Sequence, residues 1–398
     1  MQEFLKLFNE GLKKVKADGT YDKIYAKWIS GGELVSPVKE EGKVAVPPAP
    51  DFPVKIAILA PLSGDVKTFG ESTRNGALMA IEEAKAAGWK IDVVIGDSKC
   101  DAQEAANAAN KVIFEDGVKY IVGAVCSSAS IPISEICEAN HVLQISPTST
   151  NPAVTVNEDG SNKEYVFRAC FLDPFQGEVM ASLARELGAK KAAVLYDVGN
   201  DYVKGLAEYF KAAFEKMGGT VPVFEAYTKD DTDFSAILGK VAAADVDVLF
   251  LPDYYSKVNL IAEQVKEKGI KATLLGGDGW DSPELRMELF EGGYHSNHYS
   301  PADPRPIVQN FVKAYKAKYG AVPDALATLG YDAAKILLQA ISEAGVDDPA
   351  VVKDKMAAIK YEGVSGEISF DEHGDPIKKA AIIKIENGKK VFYKFVAP

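Results

Sequence analysis

Residues 54–64 read VKIAILAPLSG, a β-branched apolar run that breaks on proline and then on small residues. The run recurs, and its recurrence decides the fold. A helical pattern from Thr73 to Ala87 leads to IDVVIGDS at 91–98, a second from Ala102 to Phe114 leads to YIVGAV at 120–125, and a third runs from Ile131 to Ala139. Apolar strands alternating with amphipathic helices are βαβ units, which set a parallel sheet between two helical layers. After YVFRACFLDPFQG (165–177) the rhythm restarts with AAVLYD, PVFEAY, DVLFLPDYY and TLLGGDGW, each leading into a helical pattern. The expected architecture is α/β, with two doubly wound parallel-sheet lobes in series.

Length agrees with two lobes. The chain has 398 residues, 47% of them hydrophobic, and single cores stop growing at roughly 250–300 residues. Helical stretches dominate from Pro304 to about Lys360, and AAIIKIENGKKVFYKF (380–395) reads as a hairpin turning at Asn387 and Gly388. Sending the helices back to the first lobe and the hairpin to the second gives lobe 1 as 53–172 plus 302–372 and lobe 2 as 173–301 plus 373–398. The chain then crosses three times, near Cys170 to Pro174, Tyr299 to Pro304 and Phe370 to Pro376, forming a three-segment hinge.

The first 52 residues are of another kind. Phe4, Phe8, Leu12 and Val15, then Tyr21, Ile24, Tyr25 and Trp28, mark an extra N-terminal helix pair over 1–31, and 32–52 reads as a charged, Pro-rich linker. So small a pair cannot bury its own apolar face.

Composition removes several function classes. A net charge of −12 and a pI near 5.0 leave no basic stripe for phosphates, so nucleic acid is not an expected partner. No apolar run approaches the roughly 20 residues of a membrane span. The segment after Met1 lacks a signal peptide's apolar region, so a targeting sequence is either absent or removed. Four cysteines are too few for a disulfide scaffold and lack paired zinc-ligand spacing. Cys100 and Cys126 each follow a strand, where a parallel sheet can bring them together, but two reduced buried thiols remain an open reading.

In open α/β sheets ligands bind beyond the carboxyl ends of the strands. Those ends hold Ser63 to Gly70, Cys126 to Ser130, Ser146 to Thr150, Asp197 to Tyr202, Asp253 with Tyr254 and Tyr255, and Asp278 to Trp280. The first lobe offers hydroxyls and backbone N–H groups; the second offers carboxylates and aromatics. Ser127 and Ser128, just ahead of a helix announced by Pro132, suit a carboxylate. Asp278, isolated in GGDGW, suits an ammonium. A ligand carrying both charges close together is an α-amino acid, with Phe69, Tyr202, Tyr254 and Trp280 walling its side chain. Strand-end serines and aspartates also cap helices and make turns, so only their convergence points to a site.

Enzyme chemistry lacks support. No GxSxG elbow surrounds the serines, no GxGxxG follows the first strand, and there is no GxxxxGK[ST]. His295 and His298 of HSNH lie in a strand-like run, where residues three apart face opposite ways, so no metal site is expected.

Taken in order, SGDVKTFG, KCD, VCSSAS, SPTSTNPAVT, FRACFLDPFQG, YDVGNDYVKGL and LLGGDGWDSP resemble the leucine/isoleucine/valine-binding family of periplasmic substrate-binding proteins, over about residues 52–398. The resemblance implies a type I periplasmic-binding fold. It implies a periplasmic or extracytoplasmic, non-enzymatic protein without a cofactor, which closes over a free amino acid, aliphatic or branched-chain, and presents it to the membrane permease of an ABC importer. It implies a Cys100–Cys126 disulfide. Carried over residue by residue, the carboxylate site falls on the Ser127 hydroxyl, the Thr148 backbone and the Thr150 hydroxyl, and the amine site on Asp278 helped by Tyr202, with Tyr254 lining the cleft. Phe69 stands where leucine binders carry tyrosine, and Asp278 is shorter than the glutamate of some members. With Trp280, these departures bear on the ligand's side chain. The alternative is a sensory ligand-binding domain of the same fold for an amide or small carboxylate. LKKVKADGTYDKIYAKW (12–28) resembles the last helices of the type II polar amino-acid-binding proteins and matches no ligand-contacting motif.

Overall fold

The computed structural model describes residues 42–398 together with Val15, Lys16, Thr20 and Tyr21, which are helical. The remainder of the expected N-terminal pair and the first half of the linker lie outside the described residues. The chain divides into two compact units, Met1–Ala45 and Val46–Pro398, and the second carries both large sheets.

Five strands, β1 (Val54–Ala60), β2 (Ile91–Asp97), β3 (Tyr120–Gly123), β4 (Leu143–Ser146) and β5 (Val166–Arg168), form a wholly parallel sheet in the order β2-β1-β3-β4-β5. Every residue of β3 and β4 is buried, as in a parallel sheet covered on both faces, and the two polar side chains of β4, Gln144 and Ser146, donate to the Gly123 and Ala124 carbonyls at 2.8 and 2.9 Å. Helices α1 (Lys67–Ala86), α2 (Ala102–Asn110) and α3 (Ser127–Asn140) make the crossovers. Asp101 caps α2 by accepting from the N–H groups of Gln103 and Glu104.

The second sheet contains β6 (Lys191–Asp197), β7 (Thr220–Tyr227), β8 (Val248–Leu251), β9 (Thr273–Gly276), β10 (Tyr294–Asn297) and a terminal hairpin. Its helices are α4 (Asp173–Glu186), α5 (Asp201–Lys216), α6 (Ser235–Ala244) and α7 (Tyr255–Glu267). Its order, β14-β13-β10-β9-β8-β6-β7, is parallel except where β13 (Ala380–Glu386) meets β10 and β14 (Lys389–Val396). Asn387 and Gly388, both at positive φ, turn that hairpin, as the sequence predicts. Both sheets thus place their second strand outside their first, and the switch points lie between β1 and β3 and between β6 and β8.

The chain leaves the first sheet after β5 and returns through α8 (Pro306–Tyr319), α9 (Ala325–Ala344) and α10 (Pro349–Ala357). After a small ribbon, β11 (Tyr361–Gly363) with β12 (Gly366–Ile368), it crosses again to β13. The long helix α9 packs on α1. Glycine makes this close: a Cβ on Gly76 would stand 1.9 Å from the Ala327 carbonyl oxygen. Three crossings in all join two parallel-sheet α/β lobes.

Two helix starts differ from the sequence reading. Helix α1 begins at Lys67, six residues early, so Phe69 lies in its first turn. Helix α3 begins at Ser127, with Pro132 inside it. The Ala129 and Ser130 N–H groups both reach the Cys126 carbonyl, at 3.1 and 2.9 Å, which closes a turn before the proline. Proline here marks an interior position where one backbone bond is forgone, not the first residue.

Candidate functional site

The two switch points face each other across a small cavity walled by Phe69, Ser127, Thr148, Tyr202, Tyr254 and Asp278 among others. Six of the eight residues singled out for the ligand therefore meet. Among the described residues no lysine or arginine lines this space, and Asp278 gives it an acidic wall.

The first lobe's wall is made of donors. Ser127 opens α3, so its N–H and its neighbour's have no partner within the helix, and its hydroxyl oxygen accepts the Asn151 N–H at 3.2 Å. Thr148, also on the wall, gives its hydroxyl to the Val125 carbonyl at 2.8 Å. The loop is fixed from beneath. Arg168, fully buried, donates to the carbonyls of Ser149 and Asn151 at 2.7 and 2.9 Å and to Asp375 at 2.5 Å. A disulfide between Cys100 and Cys126, Cα atoms 5.4 Å apart, ties the end of β2 to the start of α3. Cys137 and Cys170 are free and buried, and burial pushes both thiols up, which leaves them inert.

The second lobe's wall centres on Asp278. Tyr202 Oη donates to Asp278 Oδ1 at 2.8 Å, and the Tyr202 ring stacks on Tyr254 at 5.3 Å with a 3° interplanar angle. The Asp278 N–H goes to Gln176 Oε1 at 2.8 Å. Gly277 permits this: a Cβ there would come within 2.4 Å of Tyr202 Oη and 3.1 Å of Gln176 Oε1. Burial raises the Tyr202 and Tyr254 phenols well above the usual range, so both remain hydrogen-bond donors.

The lobes are closed on each other. Phe69 meets Tyr254 and Tyr255 edge-on at 5.6 and 5.0 Å. Thr68 and Ser282 hydroxyls lie 3.0 Å apart, the Asp201 N–H reaches Ser128 Oγ at 3.1 Å, and the Ala325 N–H reaches Asp281 Oδ2 at 2.8 Å.

Two singled-out residues are absent from the wall. The Trp280 ring is fully buried, packed on Phe290, with its indole N–H donating to the Leu251 carbonyl at 3.0 Å. The reading that it walls the ligand is corrected: the 3₁₀ turn Asp278–Trp280 sends the two side chains to different sides. Thr150, 1% exposed, lies behind the wall, where its carbonyl accepts the Asp173 N–H at 2.9 Å. Two other strand-end aspartates are engaged by neighbouring protein groups. Asp253 accepts from Tyr227 Oη at 2.5 Å, and Asp197 Oδ1 accepts the Gly199 N–H at 2.9 Å.

A model of the family described as periplasmic binding protein matches residues 53–390. The chain belongs to the periplasmic binding protein family. This periplasmic binding protein is 33% identical over 332 residues to the leucine-, isoleucine-, valine-, threonine- and alanine-binding protein of Pseudomonas aeruginosa, covering 81% of this chain and 87% of that one. Among solved structures it is similar to a leucine-binding protein from Thermotoga maritima, with TM-score 0.82 and 38% identity over 87% of this chain and 99% of that one. It is also similar to a branched-chain amino acid transporter substrate-binding protein from Streptococcus pneumoniae in complex with isoleucine, with TM-score 0.81 and 30% identity over 87% and 100% of the two chains.

The sequence reading missed three residues behind the acidic wall of this periplasmic binding protein. His298 Nε2 lies 2.9 Å from Asp278 Oδ2. Gln176 bridges Asp278 to Ser296, whose hydroxyl donates to Gln176 Oε1 at 2.6 Å. Asp173 adjoins both Thr150 and Gln176, and burial pushes its carboxyl up to about 8 although those side chains hold it down. His298 follows β10, so the same strand-end rule that found Asp278 also reaches it. His295 has different partners, Ser296 and the Trp280 ring, and among the described residues no cluster that could hold a metal ion is present.

Proposed function

We propose that the protein is the extracytoplasmic substrate-binding component of an ABC importer, taking a free α-amino acid with an aliphatic or branched side chain into the interlobe cavity and handing it to the membrane permease. The observation that carries this is the polarity of the cavity, in which a helix start with unpaired N–H groups on one lobe faces a carboxylate on the other. The names of the relatives support the ligand class. In this reading Ser127 and the Thr148 main chain receive the ligand's carboxylate, with Thr150 assigned to the same set by the family likeness. Asp278, oriented by Tyr202, receives its ammonium. Phe69 and Tyr254 contact its side chain, and Trp280 supports the floor from the core. The lobe limits 53–172 plus 302–372 and 173–301 plus 373–398 belong to the proposal, supported by the two sheets and three crossings.

Closure of two lobes over a ligand turns binding energy into a shape that a permease can distinguish from the open form. The test is a thermal-shift screen of the twenty amino acids. A ligand at a hundred times its Kd adds about 2.7 kcal/mol of stability, so leucine, isoleucine or valine should raise the midpoint clearly. No shift with any amino acid, alongside a shift with an amide or small carboxylate, would favour a sensory domain.

A further inference from the structure

The Asp278 carboxylate has a second neighbour besides Tyr202, and it is titratable. His298 Nε2 stands 2.9 Å from Asp278 Oδ2, its ring stacks on Phe171 at 3.8 Å, and it is 2% exposed. A carboxylate oxygen accepts, so Nε2 carries the proton and the neutral ring leaves Nδ1 as a bare lone pair. Nδ1 is buried and has no partner among the described residues. Asp278 follows β9 and His298 follows its parallel neighbour β10, so the contact lies within one lobe and does not depend on closure.

We propose that His298 is a positioning residue of the amine site: neutral, it orients Asp278 and leaves the full carboxylate charge to the ligand's ammonium; protonated, it becomes a resident cation that takes the ligand's place. The inference rests on the amino-acid reading of the cavity and adds a proton to it. Protonation puts two cations against one buried carboxylate, so ligand and proton compete, and by linkage each weakens the other by the same factor. Burial favours the neutral form and lowers the His298 pKa, opposed by the bond to Asp278. The other charged groups facing the ring are Asp281, from the loop after β9, and Lys378, between the third crossing and β13. Asp303, Arg305, Glu367 and Lys379 share with Lys378 the cavity that the ring borders. The cationic members of that set oppose protonation and the acidic ones favour it. Burial pushes the Asp173 carboxyl up to about 8, so its proton loss falls at the upper end of the range at issue and is common to parent and variant.

Calorimetric titration with L-leucine, whose own groups do not ionise in this range, tests the linkage between about pH 7.5 and about pH 5.0. Affinity should fall at least about threefold in the parent, following one proton. In His298→Gln, which keeps an N–H donor for Asp278 and cannot take a proton, it should stay within about twofold across the same range. Superimposable pH profiles for parent and variant would overturn the inference while leaving the amino-acid reading intact. If L-leucine does not bind the parent at about pH 7.5, that reading fails, and nitrogen-15 resonances of the ligand-free imidazole decide the inference separately. The expected tautomer is Nε2–H, neutral at pH 7; an Nδ1–H tautomer or a charged ring would refute it.

Discussion

Arg168 and Asp375 form a fully enclosed ion pair, Nε to Oδ1 at 2.5 Å, that joins the end of β5 to the third crossing between the lobes. Because the same guanidinium holds the carbonyls on either side of Thr150, the third crossing and the loop after β4 share one support. Burial lifts the Asp375 carboxyl despite the arginine, so the pair's importance is that neither charge is left alone. Arg168→Met should cost about 3–5 kcal/mol in urea unfolding, as expected when one member of a buried pair is removed. A loss under about 1 kcal/mol would show that the pair is dispensable.

Asp278 and Ser127 should fail by different amounts. Asp278→Ala leaves a desolvated ammonium without its counter-charge and should weaken amino-acid binding by about 2–5 kcal/mol. Ser127→Ala removes one donor to a carboxylate and should cost about 1.5–3 kcal/mol. Both variants should remain folded by circular dichroism, with Asp278→Ala melting earlier than Ser127→Ala because it leaves the buried Tyr202 and His298 donors without their acceptor. Near-parental affinity in Asp278→Ala would remove it from the amine site.

Stability should fall with rising pH through Asp173. Its folded pKa of about 8 lies above its unfolded value, so from about pH 4 to about pH 8 the folded state holds a proton that the unfolded state has released. That contribution is complete below the unfolded pKa and is lost as pH rises through about 8. Asp173→Asn, which mimics the neutral acid, should lack it. The midpoint of the parent relative to this variant should drop between about pH 5 and about pH 9; a constant difference would mean that Asp173 is ionised throughout.

The disulfide closes a loop of 26 residues, which the chain-entropy relation converts to about 3.5 kcal/mol. Labelling the unfolded, unreduced protein should find two thiols, from Cys137 and Cys170, and reduction should lower the urea midpoint. Four labelled thiols would exclude the bridge.

Much of this cavity's lining was legible because strand ends are. Phe69, Ser127, Thr148, Tyr202, Tyr254 and Asp278 each come after a recognisable apolar run, and the parallel-sheet rule sends them to one side. Strand order was not legible, and it is the order that makes β9 and β10 neighbours and so sets His298 on Asp278. Trp280 misled because adjacency along the chain suggests a shared direction, whereas a 3₁₀ turn separates side chains two residues apart by about a third of a revolution. Pro132 misled because proline is commonest at the first helical position but not confined to it.

One calorimetric comparison tests the assignment of Asp278 most directly, L-leucine against N-acetyl-L-leucine with the parent protein at neutral pH. Acetylation keeps the side chain and the carboxylate and removes only the cation that Asp278 is held to receive. Leucine should bind, and the N-acetyl compound should lose at least about 2 kcal/mol, or some thirtyfold in Kd. Equal affinity for the two would contradict the assignment of Asp278 and, with it, the reading of this cavity as an amino-acid site.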